Sequence, residues 1–397
     1  MKKLRTSALL LTAFTLSALL LLRCTRTGFS SSNTTAPNAN SATAGTLAAQ
    51  ITSFVHPAIL NTQASLDLVG GQVNGGDPTR SASYQKVLDW INDPNHPLPT
   101  RFYSTVVVGS NGATSPSKSQ IRKDAELAYA LALRWAKTGH QEYADQAIAI
   151  LNGWSYTFQN YALLDGSTNP NQPDLEASWT TPSFVAAAEI IRYYQVNGAG
   201  SGWSSADINQ FNNFLNNVKN NYINNTPVYN NNWNASAGYA KMAIGIFLNS
   251  TTVYQNGYNM ILQYLPIIIN QSNGTIPEYC DRQDCVHFQY SLTAFSYAAE
   301  LARLQGDNSI WTALTNRLSA GYDYQWKAFS GGVTCSSCSC QPCSMSSNVF
   351  PGVEVAYNYY KSANLLNLRQ LQDPLGVPND NTFLGFTTYT HFNVSGL

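Results

Sequence analysis

The chain has 397 residues, 44% of them hydrophobic, which is enough for one large core or two ordinary domains. Only 11% are charged, with Lys and Arg balancing Asp and Glu at 22 each, against roughly 25% charge in a usual soluble domain. Lacking a basic excess, the chain is not read as a nucleic-acid binder; its 23 Tyr and 8 Trp suit hydrogen-bonding or ring-stacking partners, and a monomer is expected.

Residues 1–24 read as an export signal. Lys2, Lys3 and Arg5 precede an apolar run from Leu9 to Leu22 that is short for a membrane span. Cys24 is an alternative lipid-anchor position, although Arg23 replaces the small residue such sites favour. Removing residues 1–23 takes away four basic residues and no acid, so 18 basic then face 22 acidic residues and the mature charge is −4. Any attraction for an anionic ligand must therefore be local. Residues 25–47, rich in Ser, Thr, Asn and Ala, read as a disordered tether. The expectation is a secreted, periplasmic or surface-anchored protein with one folded domain, 48–397.

Helical periods dominate that domain. KSQIRKDAELAYALALRWAKTG (118–139) places Ile121, Ala125, Ala128, Leu131 and Trp135 on one stripe and stops at Gly139. HQEYADQAIAILNGWSYTF (140–158) completes a helical hairpin. Further helices are predicted over 174–196, 204–223, 234–248, 251–269, 286–306 and 309–326, whereas STVVVG (104–109) is the best strand signal. At least eight helices joined by short turns imply an all-α ring or bundle of paired helices.

Three stretches carry chemistry. In YNNNWNASAGY (229–239), three Asn and Trp233 precede a helix predicted to be capped near Asn234 or Ser236. An amide held at a helix start can donate to a carboxylate without adding charge, and Trp233 is a candidate for stacking on a sugar ring. In EYCDRQDCVHFQY (278–290), Asp284 is placed to cap a helix on which His287 and Tyr290 share a face at i, i+3. Arg282 and the positive helix start would favour a tyrosinate there. Cys280 and Cys285 are near enough in sequence to bridge each other. In CSSCSCQPC (335–343), the two C-x-x-C pairs stand too close for a usual zinc site, so disulfides are expected, with no metal and no cofactor. The carboxylates Asp124, Glu126, Glu176, Glu189, Glu278, Asp281, Asp284 and Glu354 form no self-evident pair of the glycosidase kind.

Six segments in order then resemble the alginate-lyase domain family of polysaccharide lyases: HPAIL (56–60), the 123–155 hairpin, LEASWTTPSFVAAAEIIRYY (175–194), NNWNASAGYAKMAIGIFL (231–248), EYCDRQDCVHFQYSLTAFSYAAELARLQG (278–306) and GVEVAYNYY (352–360). The resemblance implies an incomplete (α/α) toroid and β-elimination on a uronic-acid polysaccharide, either alginate or polymannuronate, or glucuronan. It assigns carboxylate neutralisation to Asn232 with Arg282 and His287, and proton transfer to Tyr290 or Tyr357. Residues of the same segments expected to contact substrate are Asn231, Trp233, Gln289, Trp179 and Glu354. In the family a His follows the paired Asn; here Trp233 stands in its place, so the imidazole role passes to His287. The alternatives are a glycoside hydrolase on a similar ring, using a pair such as Asp124 with Asp284, and an exported glycan-binding protein without activity.

Overall fold

In the computed structural model, the residues described are 51–336, 342–372 and 382–394. The signal, Cys24, the tether, Cys338 and Cys340 lie outside the described residues. Every predicted helix is present, within a few residues of its expected ends. The elements are α1 (Gln63–Asn74), α2 (Pro78–Asn92), β1 (Thr105–Val108), α3 (Pro116–Thr138), α4 (Gln141–Thr157), β2 (Asn160–Leu163), α5 (Gln172–Tyr193), α6 (Ser205–Asn221), α7 (Asn232–Phe247), α8 (Thr251–Ile268), α9 (Glu278–Arg282), α10 (His287–Leu304), α11 (Ser309–Phe329), α12 (Gly352–Tyr360), α13 (Ala363–Leu371) and α14 (Thr387–His391). The strands β1 and β2 pair in parallel, Thr105 opposite Asn160, across the α3–α4 hairpin.

Burial separates two layers. In α5, 20 of 22 residues are buried; in α7, 15 of 16; in α10, 16 of 18. The partners in the outer layer bury one stripe only, four of 17 residues in α6 and seven of 18 in α8. A helix covered on every side loses its amphipathic pattern, whereas one packed on a single face keeps it. The inner helices α3, α5, α7, α10 and α12 touch in sequence; α4, α6, α8, α11 and α13 back them, and α1, α2 and α14 lead from α12 to α3. This is the expected all-α toroid of antiparallel hairpins. Glycine allows the closest pairing: a Cβ on Gly257 of α8 would lie 2.5 Å from the Gly238 carbonyl oxygen of α7.

The inner helices run parallel. Arg122 of α3 meets Glu176 of α5, Trp179 of α5 donates to Ser236 of α7, and Gly352 of α12 abuts Thr293 of α10; each contact joins early turns. At the opposite end Arg192, late in α5, donates to the Phe247 carbonyl that closes α7. Five inner helix N-termini therefore gather at one end of the ring. Each carries up to roughly half a positive charge.

Candidate active site

At the start of α7, Asn231 is the cap, its Oδ1 accepting from the Trp233 N–H at 3.1 Å, so the helix begins at Asn232, two residues before the expected cap at Asn234. Asn234 instead folds the preceding loop. Its Oδ1 accepts from the backbone N–H groups of Tyr229 (3.0 Å) and Asn230 (2.8 Å), and its Nδ2 donates to the Pro227 carbonyl at 3.0 Å.

The start of α10 is set by Asp284. Its Oδ1 accepts from the backbone N–H groups of Val286 (2.9 Å) and His287 (3.0 Å), and its Oδ2 lies 2.6 Å from His287 Nδ1. Burial pushes the Asp284 carboxyl up, but the hydrogen bond and charge of His287 and the two backbone donors outweigh it, and its pKa is lowered. An ionised Asp284 holds the proton on Nδ1. Nε2 is then the basic nitrogen, with no hydrogen bond among the described residues.

Between these helix starts stands Glu278, to which sequence reasoning gave no role. Its Oε1 accepts from Asn232 Nδ2 at 3.0 Å and lies 3.8 Å from Arg282 Nε; its Oε2 accepts from Ser291 Oγ at 3.5 Å. Burial raises the Glu278 pKa, only partly offset by His287, Arg282 and Asn232. Asn232 is fully covered and its Oδ1 finds no partner among the described residues, whereas the Arg282 side chain is 39% exposed. Tyr290 packs its ring 4.8 Å from Trp179 and 4.9 Å from Phe350, and stands edge-on to His287 at 6.1 Å. Asn232, Glu278, Arg282, Asp284, His287 and Tyr290 thus share one end of α7 and α10. They can bind a carboxylate, hold a polarised imidazole and present a phenol.

Other residues marked by the sequence occupy different places. Trp233 is 4% exposed and packs edge-to-face with Tyr229 at 4.9 Å, so it has no free face for a sugar. Gln289 is an interior clamp: it donates to the carbonyls of Cys285 and Asn348 and accepts from Phe350 N–H and Gln325 Nε2. Glu354 is wholly buried, bound by Arg369 at 2.7 Å and Thr388 at 3.0 Å, and cannot touch substrate. Trp179 spends its indole N–H on Ser236 at 3.1 Å and contacts Tyr290 and Arg122, which makes it part of the wall behind the phenol. Tyr357 sits on α12 with Lys361 Nζ 5.0 Å from its ring centroid, and no hydrogen bond or ring contact joins it to Asn232, His287 or Tyr290.

The cysteine pairing is corrected as well. Cys280 binds Cys335 and Cys285 binds Cys343. The turn between the two cysteines carries Gln283 in the left-handed region (φ 54°), and each thiol meets Cys335 or Cys343 and not its neighbour. Both ends of the segment bearing Arg282 are thereby fixed to one wall.

Comparison with solved structures gives the same architecture. An alginate lyase from Bacteroides ovatus superposes with a TM-score of 0.60 at 12% identity, over 80% of this chain and 96% of that one. Alginate lyase A1-III from Sphingomonas species A1 superposes with a TM-score of 0.53 at 14% identity, over 74% of this chain and 82% of that one. A search by sequence among curated proteins finds no match. The model of the alginate lyase family matches residues 76–332, most of the chain and every helix from α3 to α11, and on that match the chain belongs to the alginate lyase family and is a polysaccharide lyase.

Proposed function

We propose that the chain cleaves a uronic-acid polysaccharide of the polymannuronate or glucuronan kind by β-elimination, with its chemistry at the starts of α7 and α10. The observation that carries this reading is the joint cluster of Asn232, Glu278 and Arg282 beside the His287–Tyr290 pair. The proton on C5 of a uronate is weakly acidic until the adjacent carboxylate is neutralised, which requires donors and positive charge at that group. Arg282, the outermost member, receives the carboxylate; Asn232, covered in this structure and bound to Glu278, reaches it with its second N–H only as Glu278 and Arg282 move aside. The C5 proton passes to Tyr290 as tyrosinate or to His287 Nε2, the C4–O4 bond breaks, a C4=C5 double bond forms, and O4 takes a proton from Tyr290. No water is consumed.

With Trp233 buried, both the imidazole and the phenol come from α10, on one side of the substrate. That arrangement suits the C5 configuration shared by mannuronate and glucuronate and disfavours guluronate. The test is incubation with polymannuronate, glucuronan and polyguluronate, read by ultraviolet absorbance of the unsaturated product; cleavage of polyguluronate alone would refute the assignment. The hydrolase alternative loses its acid pair, because the Asp124 carboxylate is buried on α3 against Trp154 Nε1 (2.7 Å) and Gln120 (2.6 Å), while Asp284 is committed to His287. Export to an oxidising compartment is supported by the two disulfides. No described helix is long and apolar enough to cross a membrane.

A further inference from the structure

With Trp233 covered, an exposed aromatic ring packed beside it is Tyr229, 38% exposed and preceded by Val228 at 68%. It is held on three sides. Its hydroxyl accepts from Asn171 Nδ2 at 2.9 Å, which ties it to the start of α5. Its backbone N–H donates to Asn234 Oδ1, an amide that also gathers Asn230 and Pro227. Its ring meets Trp233 at 4.9 Å with the two planes 86° apart. In an edge-to-face contact Trp233 covers at most one face of the phenol, and 38% of Tyr229 stays exposed.

A rigid aromatic face at low entropic cost, with an apolar neighbour and a fixed hydroxyl, is what the C–H face of a pyranose stacks on. Since the hydroxyl accepts from Asn171, its own proton remains available to a sugar oxygen. Tyr229 lies three residues before Asn232, so at most about 11 Å of chain separates them, and a ring there reaches a sugar beside the one being cleaved.

We propose that Tyr229, braced by Trp233 and Asn171, is a stacking platform for a neighbouring sugar of the polyuronate chain, a reading that rests on the function proposed above. The test reads binding apart from turnover, by calorimetric titration of polymannuronate and glucuronan into the Tyr290→Phe protein with and without Tyr229→Ala. Removing the ring is expected to weaken binding about tenfold, with Tyr229→Trp restoring it. In the Tyr290 protein the same change should raise KM while kcat holds. Asn171→Ala, which loosens the ring without deleting it, should give a smaller loss in the same direction and guards against a Tyr229→Ala protein that does not fold. Unchanged affinity in Tyr229→Ala and Asn171→Ala, a Trp replacement no better than Ala, or no measurable binding of either polymer overturns the platform. Ring-dependent binding by a chain that releases no unsaturated product would sink the lyase chemistry and leave the platform standing; unsaturated product with ring-independent binding would do the reverse.

Discussion

Replacing Asn232 by Asp probes the site at its most sensitive contact. The change keeps shape and volume but sets a second carboxylate where the amide nitrogen now lies 3.0 Å from Glu278 Oε1. Two unit charges at that distance repel by about 5 to 6 kcal/mol at an effective dielectric of about 20, the equivalent of about four pKa units. The pair then holds one proton between them well above the ordinary carboxylate range. The sign follows: the raised member binds its proton more tightly folded than unfolded, so stability is retained below about pH 4 and is lost as pH rises through the raised value. Glu278 alone, already raised by burial, gives the parent a weaker slope of the same sign. Activity should fall by at least the roughly 10²–10³-fold that follows loss of one donor to a developing anion, and further because the new charge repels the uronate. The assays are the rate of unsaturated product and the thermal midpoint from pH 4 to 9. A variant with parental kcat and KM, or with a midpoint that tracks the parent across that range, would refute the geometry of the cluster.

Tyr290→Phe should lower kcat roughly 10²–10⁴-fold, while Tyr357→Phe leaves it near the parental rate; the reverse result would move the chemistry to α12. Removing either disulfide as a Ser pair, Cys280 with Cys335 or Cys285 with Cys343, opens a loop of 55 or 58 residues and should cost about 3–4 kcal/mol in urea unfolding. The first pair should also raise KM through Arg282, and equal KM values for both pairs would contradict that role. His56 is charged more readily than a free imidazole: burial opposes its charge, but the hydrogen bond and charge of Glu189 prevail and raise its pKa above 6.5. Its extra stability is complete below about pH 6.5 and fades as pH rises through the raised value, so His56→Gln should flatten the midpoint–pH curve in that window and not below it.

What the sequence made legible was local. The His287–Tyr290 face and the capping by Asp284 depend on spacings of three residues, which a helix enforces wherever it lies. The remaining features depend on what covers a face. Spacing put Trp233 at the start of α7 but could not show that Tyr229 would close over it, and Glu278 is 46 residues from its amide partner, beyond any periodic signal. Gln289 and Glu354 sit in the right segments yet point into the interior, where each has enough partners to satisfy it. The cysteines followed proximity in sequence in the expectation and proximity in space in the fold. No helix is predicted over residues 63–92 because Gly70 and Gly71 weaken the propensity of α1, and α2, although opened by Pro78 at a favourable first position, is largely polar.

The charge balance resolves on the same basis. An excess of acids is expected once residues 1–23 are removed, and the proposed substrate is itself an acid, yet four of the buried acids are paired where they lie: Glu176 with Arg122, Glu354 with Arg369, Glu300 with Arg303 and Glu189 with His56. Arg282 lies 3.8 Å from Glu278, and the partial charge of a helix start acts over the first turn. The field at the proposed uronate site is therefore set locally, by the helix starts and Arg282 against Glu278 and Asp284 beside them, and net charge carries no information about it.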